Sequence, residues 1–401
     1  MLILEHGMQN AEPKLFTILT SISLVLIFLL LVNKSLAQNQ TLVKQNDKEQ
    51  LGEQLFNDKR LSKNQTMSCS TCHDPALGFA DGRTTAAKKV VSLGDDGHSF
   101  GNRNTPTASY AKFSPLFHFD DKNGVFVGGQ FWDGRAADLT SQASQPPLNP
   151  LEMGSDKALI VKRLQADSNY NAAFKRLYGN DIWHNTDAAY HAMTDAIAAF
   201  EKTAVFAPFD SKYDRYLKGE YELTPLEDLG RTLFFSNNNV NCHTCHKLTT
   251  SKEDDKFEVF SNHQFHNIGV PQNPNLLALG QVEADFVDTG LLAHPDINDL
   301  AQKGKFKTPT LRNVAVTAPY MHNGVFKDLR TVVLFYDKYN NPDNTINPET
   351  GEPWAGPEVA DNISLDELKA QKLTDRKVDA LVAFMKTLTD KRYEHLLEQE
   401  N

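Results

Sequence analysis

The sequence predicts an all-α fold made of two copies of one helical unit, and three observations carry that reading. The string C-x-x-C-H occurs twice, as Cys69-Ser-Thr-Cys72-His73 and as Cys242-His-Thr-Cys245-His246. Ahead of each stands the same pattern, Gln50-Leu-Gly-Glu-Gln-Leu-Phe56 and Asp228-Leu-Gly-Arg-Thr-Leu-Phe234, with Leu, Gly, Leu and Phe at matching offsets. Helical periodicity dominates the remaining chain, and strand-like alternation is sparse.

Residues 1–37 read as a signal segment outside the fold. Leu15 to Val32 is an apolar run softened by Thr17, Thr20, Ser21 and Ser23, and Ser35-Leu36-Ala37 puts small residues at a cleavage position before Gln38. Glu5 and Glu12 suit a signal n-region poorly, so Met8 is an alternative start. Retention of the run as an uncleaved anchor is the other outcome, because its length is just enough to span a bilayer. No Cys follows the run, which excludes a lipidated N-terminus. The mature protein is expected in the periplasm, touching a membrane only through that anchor.

The C-x-x-C-H strings hold all four cysteines of the chain, leaving none for a disulfide. Two thiols on one helical turn can reach the two vinyl groups of a haem, and the next His offers its imidazole to the iron. Each string is thus expected to bind one covalent c-type haem through Cys69, Cys72 and His73, and through Cys242, Cys245 and His246. Paired C-x-x-C units also suit tetrahedral zinc. Zinc does not need His directly after the second Cys, and here it occurs twice.

Leu51 and Leu55, like Leu229 and Leu233, lie four apart and share a helical face. Gly52 and Gly230 would clear space for a crossing helix. This is the start of a cytochrome c-like domain, used twice. Thr186 is expected to cap a helix carrying Ala189, Met193, Ile197 and Phe200. Thr374 is expected to cap another, with Val378, Leu381, Val382, Met385 and Leu388 on one stripe. The mature chain, about 360 residues, is long enough for two cores. The boundary is expected within Pro208–Thr224, giving domains at 38–215 and 216–395. A net charge of −10 argues against nucleic acid and anionic membrane surfaces as partners.

Five further strings bear a family resemblance: Asn102-Arg-Asn-Thr-Pro-Thr107, Gln130-Phe-Trp-Asp-Gly-Arg-Ala136, Asn149-Pro-Leu-Glu-Met153, Lys307-Thr-Pro-Thr-Leu-Arg-Asn-Val314 and Thr317-Ala-Pro-Tyr-Met-His-Asn-Gly324. With the ordered C-x-x-C-H pair, the chain resembles the bacterial dihaem cytochrome c peroxidases and their MauG-type relatives over about Leu51 to Asp390. The resemblance implies two cytochrome c-like helical domains over a shared interface. It implies peroxide chemistry at the N-terminal haem, with Glu152 as the distal acid–base group and Pro146 crowding the same pocket. It places Trp132 between the haems as an electron carrier, and Asn104, Thr317 and Pro319 as oxygen ligands of one calcium ion. Without the resemblance, Glu152 reads as a capping or surface acid, Trp132 as a core aromatic, and Asn104 and Thr317 as turn residues.

At the second haem the family offers a methionine fourteen residues after the His of the Ala-Pro-Tyr-x-His string, or a tyrosine in MauG-type proteins. Here that position is Tyr336, after Ala318-Pro-Tyr-Met-His322. Tyr336 is therefore expected opposite His246, with Met321 or another group as the alternative ligand. A phenolate stabilises ferric and higher states where a thioether favours reduced iron. MauG uses a tryptophan two residues before the second attachment string; this chain has Val240 there. Among the other histidines, His98 is either a resting-state ligand of the first haem or a solvated loop residue. His243 is expected to point away from iron, His266 and His322 to bond haem propionates or backbone, and His118 has no role assigned.

Two function classes follow. The first is a peroxide-using enzyme, served by hydrogen peroxide and a small redox protein (a cytochrome c or a cupredoxin), or oxidising a residue on a partner protein as MauG does. The second is a plain dihaem electron carrier, which needs a firm sixth ligand on each iron.

Overall fold

The computed structural model describes residue 34 and residues 43–236, 240–247, 258–280, 282–283 and 285–398. Apart from residue 34, the signal segment lies outside these. Among the described residues no helix is long and apolar enough to cross a membrane.

Helix α1 runs through 43–56. It is followed by α2 (Cys69–Cys72), α3 (Leu139–Ala143), α4 (Lys157–Ala166), α5 (Ser168–Tyr178) and α6 (Thr186–Glu201). The second half contains α7 (Lys212–Leu217), α8 (Pro225–Phe234), α9 (Cys242–Cys245), α10 (Pro274–Ala278), α11 (Leu329–Asp337) and α12 (Asp375–Lys386). The fold is not purely helical, which corrects the all-α expectation. β1 (His118–Asp120) and β2 (Val125–Val127) form an antiparallel hairpin, and β3 (Phe265–His266) pairs antiparallel with β4 (Phe306–Lys307). Strands of two or three residues are too short for alternation to register in sequence.

Each half is held by one pair of crossed helices. On α1, a Cβ at Gly52 would sit 1.9 Å from the carbonyl oxygen of Ala196 in α6. On α8, a Cβ at Gly230 would sit 1.8 Å from the carbonyl oxygen of Ala380 in α12. Only glycine permits either approach. Around the first crossing pack Leu51, Leu55, Phe56, Met193, Ile197 and Phe200, all buried. Around the second pack Leu233, Phe234, Val378, Leu381, Phe384 and Leu388. The last residue of the first core is Phe206 and the first of the second is Tyr213, so the chain passes from one core to the other between them.

Thr374 takes the N-cap position of α12, though without a side-chain hydrogen bond. For α6 the cap is Asn185, whose side chain accepts from the Ala188 N–H, and Thr186 is the first helical residue. Asn and Thr are both good caps, so the shift of one position is within what sequence can decide.

A buried polar seam joins the halves. Asp390 accepts from the Tyr110 hydroxyl at 2.5 Å and from Asn313 Nδ2 at 2.8 Å. Behind this seam, within the second half, the fully buried Arg312 clasps Asp214 at 2.6 and 2.9 Å. Arg103 clasps Asp288 at 2.6 and 2.7 Å and donates to Asp133 at 2.6 Å. Bidentate guanidinium–carboxylate pairs fix orientation as well as distance.

Candidate functional site

The two C-x-x-C-H strings form single helical turns, α2 and α9, each opening into its own cavity. Cys69, Cys72 and His73 line the first, and Cys242, Cys245 and His246 the second. His73 Nδ1 lies 3.2 Å from the Phe79 carbonyl, and His246 Nδ1 lies 2.9 Å from the Phe260 carbonyl. Burial pushes the His73 imidazole below its ordinary value, and that of His246 down to about 4. Both rings are therefore neutral, with Nδ1–H given to backbone and the Nε2 lone pair left for a metal.

These cavities fit haem and not zinc. The cysteine pairs face separate spaces, and among the described residues no group of three or more His, Cys, Asp or Glu could hold a metal ion. Burial also raises the thiols, Cys72 to about 11 and Cys242 and Cys245 to about 12. In the second cavity, the buried Nε2 atoms of His266 and His322 have no hydrogen-bond partner, as polar groups awaiting a cofactor's edge would.

A further internal repeat relates the walls opposite the histidines. Gln130-Phe-Trp-Asp-Gly-Arg-Ala-Ala-Asp-Leu139 aligns with Tyr320-Met-His-Asn-Gly-Val-Phe-Lys-Asp-Leu329. Both make the same tight loop: Gln130 N–H bonds the Ala136 carbonyl at 2.6 Å, and Tyr320 N–H bonds the Phe326 carbonyl at 2.7 Å. Phe131 and Met321 both adopt positive φ, 65° and 72°. Asp138 and Asp328 then cap α3 and α11. Eight residues after Asp328 stands Tyr336, on α11 and lining the second cavity. Eight residues after Asp138 stands Pro146, lining the first. Proline cannot continue a helix. Accordingly α3 stops at Ala143, and Pro146 opens a 3-10 turn. Where one half offers a phenol, the other offers an inert ring.

In the same register, matched positions are polar in the first cavity and apolar in the second. Gln142 corresponds to Val332, and Glu201, through the Ala196–Ala380 crossing, to Met385; each lines its own cavity. Glu152 also lines the first cavity. Burial pushes its carboxyl above the ordinary carboxylate range, while Asn149 Nδ2, donating at 2.7 Å, and the Arg135 charge pull the other way. Sequence reasoning missed Gln142, Glu201 and Arg135. The signal was the second repeat, in which only Gly, Asp and Leu are identical.

Trp132 lines both cavities and so stands in the wall between them. Its Nε1–H donates to the Asn104 carbonyl at 2.9 Å. His322, at the matching place in the repeat, stacks on Phe306 with ring centres 3.6 Å apart. Tyr336 is largely enclosed, and burial pushes its phenol up. Met321 and Val240 also line the second cavity, whereas His243 is absent from the lining. His98 is exposed in a loop and does not line the first cavity, which removes it as a ligand in this structure. His118 is exposed on β1. Asn104, Thr317 and Pro319 line one small cavity with Asp81, and Lys89 reaches the same wall.

The profile of the family described as di-haem cytochrome c peroxidase matches residues 46–222. The methylamine utilization protein MauG of Paracoccus denitrificans is 53% identical over 353 residues, covering 87% of this chain and 90% of that protein. The cytochrome c peroxidase Ccp of Escherichia coli is 34% identical, covering 72% of this chain and 52% of that protein. Among solved structures, the diheme peroxidase BthA of Burkholderia thailandensis superposes with a TM-score of 0.75 at 30% identity, covering 86% of each chain. A MauG-like protein associated with microbial copper homeostasis superposes with a TM-score of 0.62 at 31% identity, covering 86% of this chain and 92% of that one.

Proposed function

This chain belongs to the di-haem cytochrome c peroxidase and MauG family and is a peroxidase-type oxidoreductase. On that premise we propose that it is exported to the periplasm and uses hydrogen peroxide at the N-terminal haem. Electrons or oxidising equivalents would pass by way of the C-terminal domain. When bound, the two haems supply peroxide reduction at one centre and one-electron redox change at the other.

The observation that carries this reading is the pairing of Pro146 with Tyr336. Pro146, a ring with no ligating atom, would leave room for peroxide beside a haem held in the first cavity. A carrier would need that space filled. Glu152 is the proton-moving group: it accepts a proton from incoming peroxide and returns it to the departing oxygen. Burial suits it to the task by raising its proton affinity toward neutral pH. Trp132 carries the electron across the shared wall. His73 and His246 would bind the two haem irons, and Tyr336 would supply a second ligand to the haem held by Cys242 and Cys245.

Glu152→Gln is the test. Both haem increments should remain in the mass spectrum of the denatured protein, while reaction with peroxide slows by about 100-fold, the scale of a lost acid–base group. A wild-type rate would remove Glu152 from the mechanism.

A second reading is favoured by Tyr336 together with the 53% identity to MauG: oxidation of a residue on a partner protein, with peroxide as oxidant. Val240 then implies a different route out to that partner than a tryptophan would give. The standard reading draws electrons from a small cytochrome c or cupredoxin instead. One calcium ion, on the oxygen atoms of Asn104, Thr317 and Pro319, belongs to the proposal; the shared small cavity supports it.

A further inference from the structure

A polar cleft of about 720 Å³ opens on the surface beside the first cavity. Water occupies about 30 Å³ per molecule in the liquid, so this volume is a solvent-filled vestibule rather than a packing flaw. Its outer walls carry Lys157 from the start of α4, and Asp187 and His191 from α6. Lys157 Nζ meets Asp187 at 2.6 Å across the rim. Two residues line both the cleft and the first cavity: Arg135 and Glu152.

Arg135 is held from three sides. Nη1 lies 3.0 Å from each carboxylate oxygen of Asp133, and Nε donates to Gln145 Oε1 at 3.0 Å. The guanidinium lies over the Phe131 ring, 3.7 Å from its centre. Asp133 is itself anchored by Arg103 at 2.6 Å. Glu152 is tied to Asn149. The partition is therefore preformed, with no ordering left to be done when a small molecule passes. In the matching loop of the second half, Val325 stands where Arg135 does, so the second cavity has no such polar neck.

We propose that this cleft is the route by which hydrogen peroxide reaches the first haem and water leaves it, with Arg135 and Glu152 as its inner neck. The inference rests on the peroxidatic reading above and adds the path. Polar walls and a neck of one cation and one acid suit a small, neutral, hydrogen-bonding oxidant. They also place Glu152 where it can exchange protons with bulk water between turnovers.

The test narrows the vestibule without touching the neck. His191 is exposed, and Lys157 has 43% of its side chain in solvent, so His191→Trp and Lys157→Trp leave the core alone. Cyanide binding and release at the ferric first haem are followed by stopped flow in the holoprotein, alongside its reaction with hydrogen peroxide. In the double variant, association should slow by about tenfold or more, dissociation by the same factor, and the Kd should stay at the wild-type value. A narrowed path slows both directions alike, whereas a distorted site changes the Kd. Unchanged association in the double variant overturns the route, and so does slower association with a weakened Kd. If the wild-type first haem takes up no cyanide at all, the peroxidatic reading falls and the route with it.

Discussion

The two halves share one plan and differ at matched wall positions. Each crosses two helices at a glycine, hangs a histidine on a backbone carbonyl, and turns a tight loop into a capped helix. On that plan Pro146 faces Tyr336, Gln142 faces Val332, and Glu201 faces Met385. At these places one cavity carries a proline ring, an amide and an acid, and the other a phenol and two apolar side chains. On the proposed function, these few wall side chains, more than the framework that attaches the haems, would set how each haem reacts.

The comparison breaks most completely if the first half is given the phenol of the second. Pro146→Tyr should fill the free face of the first haem and slow peroxide and cyanide binding by about 100-fold, a loss of roughly 2.7 kcal/mol. Electronic spectra should show six-coordinate iron in both domains; an unaltered five-coordinate signal would mean that the wall positions are not equivalent. The converse change is Tyr336→Phe. It should raise the potential of the second haem, because an anionic oxygen no longer stabilises the ferric state. Spectroelectrochemistry checks this, and an unmoved potential would take Tyr336 out of the coordination sphere.

Glu201 sharpens the contrast through pH. Burial pushes its carboxyl up to about 8 from an ordinary 4.5, with Lys202 only partly opposing. Below about pH 4.5 the acid is protonated both folded and unfolded, and it carries no penalty. Between 4.5 and about 8 the unfolded chain ionises while the folded one stays neutral, so stability is lost as pH rises. Glu201→Gln should therefore gain melting temperature relative to wild type between pH 5 and 8 and little below. A constant difference across that range would contradict the assignment. The smallest effects come from the shared frame. Gly52→Ala and Gly230→Ala should each cost about 1–3 kcal/mol through overpacking, seen as similar drops in thermal midpoint. They should add in the double variant, since they act in separate cores.

Much of this plan could be read before any coordinates. The attachment strings singled out His73 and His246, which line the two cavities, because the chemistry leaves no freedom in spacing. Gly52 and Gly230 were legible as crossing points because they recur between the same leucines. The wall was harder. Its repeat keeps Gly, Asp and Leu but exchanges Trp132 for His322 and Arg135 for Val325, so identity is too thin to notice until the two loops superpose. Glu201 closes helix α6, and only its placement beside the cavity gives it meaning. The short ribbons carried no periodic signal at all.

One further asymmetry lies in the β1–β2 hairpin. Val127 bridges to Gln264, Gly128 N–H reaches the His263 carbonyl at 2.9 Å, and Phe117 stacks on His294 at 4.1 Å. The aligned loop of the second half passes from Thr317 to Tyr320 with no such arm. The joint is consequently directional: one half carries the tongue and the other the groove. Two copies of either half would lack one side of the joint.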